Sequence, residues 1–277
     1  MSALCYLNGK MVPLAEARVC VLDLGMVRGF GIYEGITAFR DMPFRFNDHW
    51  ERFEASAKAL GLVIPKSKGE IEAAMRELIK HNSPGKRAGI RMVLTGGEAL
   101  HGLEQVPGRE TLFIVAEPVT PLPSELYKRG GKLITYEHQR FMPEMKTINY
   151  ITAVILQEKR KAAGAIEILY TNNGTVLECA TSNAAIVKNG KVITPDADIL
   201  KGVTRKVMLE VARGAHQVEE RAVSIAELFD ADEVFITSSF KDIVPITTVD
   251  ARKIGSGIPG PVTKDFMQRF AVYAKTQ

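Results

Sequence analysis

The chain is poor in the residues that metal and redox chemistry require. Only three cysteines, Cys5, Cys20 and Cys179, occur among 277 residues, far apart and with no Cys-x-x-Cys pair. That leaves no disulfide framework and no cysteine zinc site, and predicts reduced, buried thiols. The five histidines, His49, His81, His101, His138 and His216, are scattered singly, without the close spacing of helical metal ligands, so no metal site is expected. One-sided charge is also lacking. Against 36 basic residues stand 32 acidic ones, the formal charge is +4, and no run of five like charges occurs, so the sequence carries no electrostatic footprint for nucleic acid. No apolar stretch approaches the length of a bilayer span, and the start has no basic segment followed by an apolar run. A cytoplasmic protein with no membrane partner is expected. Gly25, Gly29 and Gly31 do not form Gly-x-Gly-x-x-Gly, and neither Gly-x-x-x-x-Gly-Lys nor Gly-x-Ser-x-Gly is present, which removes the usual nucleotide-binding loops and the nucleophile elbow.

What is present is a chain with 46% hydrophobic residues, enough for two cores of moderate size. Apolar segments at Ala3–Leu7 and Gly31–Phe39 predict strands, and Trp50, Phe53, Ala57 and Leu60 recur at helical spacing within Asn47–Leu60, with Asn47 as N-cap and Asp48 in the first turn. A second helix is predicted over Lys68–His81, then strands at Gly89–Thr95 and Thr111–Ala116. Three prolines between Glu117 and Pro123 cannot sit inside a helix or central strand and mark a linker. Beyond it, strands are predicted at Lys132–Tyr136, Ala165–Tyr170 and Glu233–Thr237, and helices at Ile151–Ala163, Thr204–Arg213 and Val262–Ala274. Asn172-Asn173-Gly174 and Lys188-Asn189-Gly190-Lys191 read as hairpin turns. The fold class is α+β (α/β) with two domains: a small N-terminal α/β domain over residues 1–117, a linker over 118–130, and a larger β-rich domain over 131–277.

Four separated features carry chemistry. Lys146 lies just ahead of an apolar helix; taken alone, a single lysine is most simply a solvated charge. Glu178 follows an apolar strand and precedes small residues, as an ordinary strand-end carboxylate also would. Lys201-Gly202-Val203-Thr204-Arg205 opens a helix whose amides, with the Thr204 hydroxyl, suit a phosphate, although glycine and threonine start many helices. Thr237-Ser238-Ser239 ends a strand with hydroxyls that could add a second anion contact.

Taken in order, the segments Tyr6–Lys10, Gly31-Ile-Tyr-Glu-Gly35, His49-x-x-Arg52-Phe-x-x-Ser56-Ala57, Lys146-Thr-Ile-Asn-Tyr150, Glu178-x-x-x-Ser182-Asn183, Gly202-Val-Thr-Arg205 and Glu233–Ser238 resemble the class IV aminotransferases. This is the fold-type-IV pyridoxal-phosphate family of branched-chain, D-amino-acid and aminodeoxychorismate enzymes. The resemblance implies pyridoxal 5′-phosphate carried by Lys146 as a Schiff base, with the displaced lysine shuttling the proton. It implies Glu178 at the pyridine nitrogen and Arg52 at the phosphate, with Val203, Thr204 and Ser239 completing the phosphate cup. An amine must lose its charge to serve as nucleophile and base, and a planar guanidinium matches two phosphate oxygens. Amino-acid and 2-oxo-acid substrates and a homodimer are further implications.

The substrate is less defined. In the D-specific pattern an Arg-x-His trap follows the strand ending at Thr95, where this chain reads Gly96-Gly-Glu-Ala-Leu-His101. In the branched-chain pattern that strand carries Tyr-x-Arg, where this chain reads Gly89-Ile-Arg91. Arg28, a position for an aromatic residue in relatives, together with Arg91 and nearby Tyr33, is expected to bind the substrate α-carboxylate, with Ser238 also on the substrate. A salt bridge is the simpler explanation of Arg28. A carboxylate on that side presents the Cα hydrogen of a D-amino acid to Lys146, so D-amino-acid transamination is the leading expectation. The alternatives are a branched-chain L-amino-acid aminotransferase with Phe30, Phe39 and Met92 lining an apolar pocket, an aminodeoxychorismate lyase, and a non-catalytic binding relative.

Overall fold

A computed structural model describes residues 2–276. The chain divides into two compact units, one holding the residues through Thr120 together with Met145–Asn149, the other holding Pro121–Glu144 and Tyr150–Thr276.

The first unit contains β1 (Leu4–Leu7), β2 (Lys10–Pro13), α1 (Leu24–Arg28), β3 (Gly31–Phe39), β4 (Met42–Pro43), α2 (Phe46–Leu60), α3 (Lys68–Asn82), β5 (Ala88–Thr95) and β6 (Thr111–Pro118). Its strands form an antiparallel sheet in the order β2-β1-β6-β5-β3-β4. Strand side chains alternate between faces. Ile32, Ile36 and Ala38 of β3, Ile90, Met92 and Leu94 of β5, and Leu112 and Ile114 of β6 therefore share one face. That face packs with Trp50, Phe53, Ile71 and Leu78 of α2 and α3 into one core. Tyr33, Gly35, Arg91 and Val93 belong to the opposite face, where Tyr33 is registered with Val93 and Gly35 with Arg91. Helix α2 has its N-cap two residues earlier than the expected Asn47: Arg45, at φ 52, precedes Phe46 and makes no side-chain capping bond. Arg45 instead pairs with Asp48 in the first turn. Helix α3 begins at a Ser67/Glu70 capping box.

The second unit contains α4 (Ser124–Arg129), β7 (Gly131–Glu137), α5 (Ile151–Ile155), α6 (Gln157–Ala162), β8 (Glu167–Asn172), β9 (Thr175–Cys179), β10 (Asn183–Lys188), β11 (Lys191–Thr194), α7 (Val203–Ala212), β12 (Val218–Glu220), β13 (Val223–Ser224), α8 (Ile225–Phe229), β14 (Glu233–Ser238), β15 (Asp242–Val249), β16 (Arg252–Lys253) and α9 (Pro261–Thr276). The sheet runs β12-β11-β10-β14-β15-β7-β8-β9-β13, and an additional β10–β9 pairing closes the six strands from β10 to β9 into a ring. The closing pair is Asn183 with Glu178, and Asn183 is also registered with Thr237 of β14. Three site positions thus lie in one row across β9, β10 and β14. Both predicted hairpin turns form, with Asn173 and Gly174, and Asn189 and Gly190, at positive φ.

Strand β15 falls outside the predicted elements, because it contains Pro245. It is nevertheless paired on both sides, with β14 from Asp242 to Ile246 and with β7 from Ile246 onward. The proline precedes the β7 ladder, which needs no N–H from it. The helix predicted over Ile151–Ala163 is broken at Leu156 (φ −81, ψ 0). Leu156 joins the buried cluster of Ala153, Ile168 and Tyr170 there, so packing interrupts a segment whose composition permits continuity. Within the stretch 118–130, Ser124–Arg129 is helical. Cys5 and Cys179 are buried, but Cys20 is exposed, which corrects the expectation of three buried thiols. Among the described residues no helix is long and apolar enough to cross a membrane, and no group of three or more His, Cys, Asp or Glu side chains is placed to hold a metal ion.

Candidate active site

In the first unit, Met145–Asn149 runs beside β3. Tyr33 N–H donates to Lys146 O at 2.9 Å, Ile148 N–H donates to Gly31 O at 3.1 Å, and Lys146 N–H donates to Ser56 Oγ at 3.2 Å. These bonds hold the half-buried Lys146 with its Nζ 4.4 Å from the centre of the Tyr33 ring. The next residue of β3, Glu34, points to the other face and is fully buried. It accepts from Arg52 Nε at 2.8 Å and Arg52 Nη2 at 2.7 Å, and His49 Nδ1 lies 2.7 Å from its Oε2. Burial alone would raise the Glu34 carboxyl. The Arg52 charge and the hydrogen bonds from Arg52 and His49 together outweigh it and hold the group at about 2. His49 is pushed below its ordinary value, first by burial and also by the charges of Arg52 and Lys146, against the pull of Glu34. A neutral imidazole donating from Nδ1 to a charged carboxylate satisfies this geometry. Arg52, expected from sequence as a phosphate ligand, is therefore oriented by Glu34, a residue to which the motifs alone assign no role.

Arg28 ends α1 and is exposed, its Nη1 donating to the carbonyl of Val27 at 2.7 Å. Its helix is set by Asp23, which is completely buried. Asp23 accepts from Gly25 N–H at 2.7 Å, from Thr95 Oγ1 at 2.8 Å and from Thr111 Oγ1 at 2.6 Å, pinning α1 to the ends of β5 and β6. Arg91 is half-exposed and paired with Glu117 at 2.9 Å. Gly31 pairs with Thr95 and Gly35 with Arg91, so Arg91 lies four residues along the sheet from the α1 end, roughly 13 Å at strand rise. Its partner Glu117, registered with Gly89, is farther along still. Within one chain the two arginines are not brought side by side, contrary to the joint carboxylate trap expected from sequence. The apolar pocket of Phe30, Phe39 and Met92 does not form either. Met92 is buried in the core beneath the helices, and Phe39 packs edge-on to Phe44 under Arg87.

In the second unit, Glu178 is almost completely buried. Arg140 Nε donates to its Oε1 at 2.8 Å, and Leu200 N–H donates to its Oε2 at 3.1 Å. Asn183 Nδ2 donates to Leu200 O at 2.8 Å, so the row of Glu178 and Asn183 fixes the approach to α7. Gly202 is the N-cap of α7 and no side chain caps it. A Cβ on Gly202 would lie 2.1 Å from Asn183 Oδ1, leaving no room for a side chain. Thr237, registered with Asn183, is buried, and its Oγ1 has no hydrogen-bond partner among the described residues. Thr204 is buried, as is Arg205, which is engaged by Pro195 O, Thr194 Oγ1 and Glu220. Ser238 and Ser239 are half-buried at the end of β14.

A helix N-terminus whose cap residue is glycine, with its positive dipole end and a buried hydroxyl left without a partner among the described residues, fits a phosphate. A carboxylate fixed by a guanidinium and an amide is an acceptor suited to a protonated ring nitrogen. Similarity to known proteins bears on both halves. The sequence profile described as Amino-transferase class IV matches residues 31–249. The chain belongs to the class IV aminotransferases. Among other members, a putative branched-chain-amino-acid aminotransferase of Methanocaldococcus jannaschii is 36% identical over 276 residues, 96% of this chain and 94% of that one. A D-alanine aminotransferase of Bacillus licheniformis is 30% identical, covering 93% of this chain and 92% of its own length. Among solved structures, the branched-chain aminotransferase of Thermoproteus uzoniensis with norvaline matches the fold with a TM-score of 0.89 at 28% identity, covering 99% of this chain and 95% of that one. A T.th. branched-chain amino acid aminotransferase with pyridoxamine 5′-phosphate gives 0.91 at 28%, covering 100% and 95%. As a class IV aminotransferase with the fold-type-IV architecture, the chain acts on amino acids and 2-oxo acids. Its histidine and glutamate on α2 and β3 were both within the motifs that carried the resemblance; Arg140, outside any motif, left no sequence signal.

Proposed function

We propose that this aminotransferase binds pyridoxal 5′-phosphate through Lys146, works as a homodimer and prefers D-amino acids as amino donors. The cofactor reading is carried by one observation above others: an α7 terminus that no side chain caps and, in the same row of strands as the buried Glu178, a Thr237 hydroxyl without a partner among the described residues. Bound pyridoxal phosphate supplies an electron sink for the pair left at Cα when its proton departs. Lys146 Nζ holds the cofactor and is the base that takes the proton from Cα; the Tyr33 ring, 4.4 Å away, stabilises the ammonium once it is protonated. Glu178 keeps a proton on the pyridine nitrogen, and Arg140 and Leu200 N–H fix its direction. For the phosphate this reading takes the Val203 and Thr204 amides and Ser239 in the second unit and, in the first, Arg52, which Glu34 holds. Ser238 faces the substrate.

With the Cα hydrogen turned toward Lys146, the enantiomer accepted depends on which side takes the carboxylate. Arg28 supports the D reading because it is an exposed cation with no carboxylate partner among the described residues. Arg91 is already paired with Glu117 and is set apart from Arg28 by strand register, so the carboxylate role falls to Arg28. The test is a half-reaction: loaded enzyme is mixed separately with D-alanine, D-glutamate, L-leucine or L-glutamate, and loss of its visible absorbance is followed. D-substrates are expected to convert it. Arg28→Ala should lower the second-order rate constant by roughly tenfold or more, the loss of a charged contact, and Arg91→Ala by much less. Conversion by L-leucine and L-glutamate alone makes the enzyme a branched-chain aminotransferase instead.

A further inference from the structure

Lys241 lies in the tight turn between β14 and β15, two residues after Ser239, yet its side chain does not enter solvent freely. Its Nζ pairs with Glu167 of β8, donates to Thr181 Oγ1 at 2.6 Å and donates to Ser182 Oγ at 3.1 Å. An ammonium has three hydrogens, and here each has an acceptor. Glu167 is buried and in turn accepts from Thr181 Oγ1 and, at 3.0 Å, from Ser182 Oγ. The backbone of Lys241 is held as well, Tyr127 Oη donating to its carbonyl at 2.9 Å. The other loop in this network begins at Glu178 and is closed by Cys179 N–H donating to Ser182 O at 2.7 Å. One lysine therefore ties the turn bearing Ser238 and Ser239 to the loop that follows Glu178.

Burying a carboxylate under a lysine is an inefficient way to stabilise a fold, because desolvation consumes most of the attraction and an apolar pair of similar size often serves as well. What such a pair adds is direction: a fixed separation between two segments of chain. Burial would raise the Glu167 carboxyl, but the Lys241 charge together with hydrogen bonds from Lys241, Thr181 and Ser182 holds it below its usual value, so Glu167 is a carboxylate at neutral pH.

We propose that Lys241, locked on Glu167, is a positioning residue of the phosphate site, setting the β14–β15 turn so that Ser239 meets the cofactor's phosphate. The proposal rests on the reading that Ser239 is a phosphate ligand, and its test separates the two. Apoprotein is titrated with pyridoxal phosphate and with pyridoxal, which lacks the phosphate, for the wild type, Ser239→Ala, Lys241→Met and the double variant Lys241→Met/Glu167→Leu. The double variant leaves no uncompensated buried charge and keeps the test open if the single variant folds poorly. Lys241→Met and the double variant are expected to bind pyridoxal phosphate roughly tenfold more weakly than the wild type, with pyridoxal affinity unchanged and the melting temperature of the double variant near that of the wild type. If Ser239→Ala weakens pyridoxal phosphate but neither lysine variant does, or if they weaken both ligands equally, Lys241 is a structural residue and the proposal fails. If Ser239→Ala leaves pyridoxal phosphate affinity intact, the phosphate reading of Ser239 itself falls and takes the proposal with it.

Discussion

Glu34 has no exposed surface, and its carboxyl is held near 2, against 4.5 ordinarily, by Arg52 and His49. A depressed carboxylate contributes stability that is complete above its unfolded value and disappears as pH falls toward its folded one. The window is therefore about pH 4.5 down to about 2. His49, also depressed, starts to contribute in the same sense earlier, as pH drops below its ordinary 6.5, because the unfolded imidazole takes up a proton more readily than the buried one. Thermal unfolding of the apoprotein across pH should show a melting temperature that begins to fall near 6.5 and steepens below 4.5. Glu34→Gln should remove the second limb. At neutral pH it should also lose about 3 kcal/mol or more, since a largely buried Arg52 then loses the carboxylate that accepts from its Nε and Nη2. Parallel curves for the two proteins would show that Glu34 is not the acid-sensitive group. Much of this cluster was visible in the sequence as residue types in ordered motifs. The pairing was not, because His49 and Arg52 lie on α2 and Glu34 on β3, and only the packing of that helix on that sheet brings them within hydrogen-bond reach.

Helix α7 shows what an element contributes beyond its residues. Its start was legible within one residue from Gly202-Val-Thr-Arg, and the structure adds why glycine is needed: Gly202 has an ordinary φ of −66, so the constraint is space rather than backbone conformation, with Asn183 Oδ1 where a Cβ would go. Gly202→Ala should cost about 1–3 kcal/mol of stability through overpacking and weaken pyridoxal phosphate binding, because the amides of Val203 and Thr204 shift with the helix start. Removing the obstacle in Asn183→Ala/Gly202→Ala should recover part of the stability lost in Gly202→Ala; a strictly additive double variant would mean that Asn183 is not what excludes the side chain. Where local signals compete with packing, the sequence was a poorer guide. Pro245 reads as a strand breaker, yet β15 runs through it because β7 pairs only from Ile246. Met92 reads as a pocket residue from its apolar side chain, but the alternation along β5 directs it into the core beside Ile90 and Leu94. Arg28 and Arg91 are likewise separated by strand register, which no spacing along the chain reveals.

At the scale of the molecule the unmet demand is apolar surface. Around α1, Val21 is 78% exposed and Met26 70%; on α5, Ile151 is 73%, Val154 68% and Ile155 70% exposed, and Phe141 before it 77%. Soluble proteins expose single apolar residues routinely, but clusters of large ones on neighbouring turns point to a covered face. At roughly 25 cal/mol for each Å² buried, a second copy of the chain laid over such clusters gains enough to offset the entropy of association only if the whole patch is dry, which places the sensitivity at its centre. The homodimer proposed above should sediment at twice the chain mass of 30.5 kDa, and Val154→Glu should dissociate it. Val154 points away from the buried Ala153 and Leu156, so this charge is carried by the exposed side of α5, and the monomers should retain their secondary structure by circular dichroism. A wild-type protein that sediments as a monomer at micromolar concentration would refute the dimer, and would leave α5 as an apolar face whose cover is some other molecule.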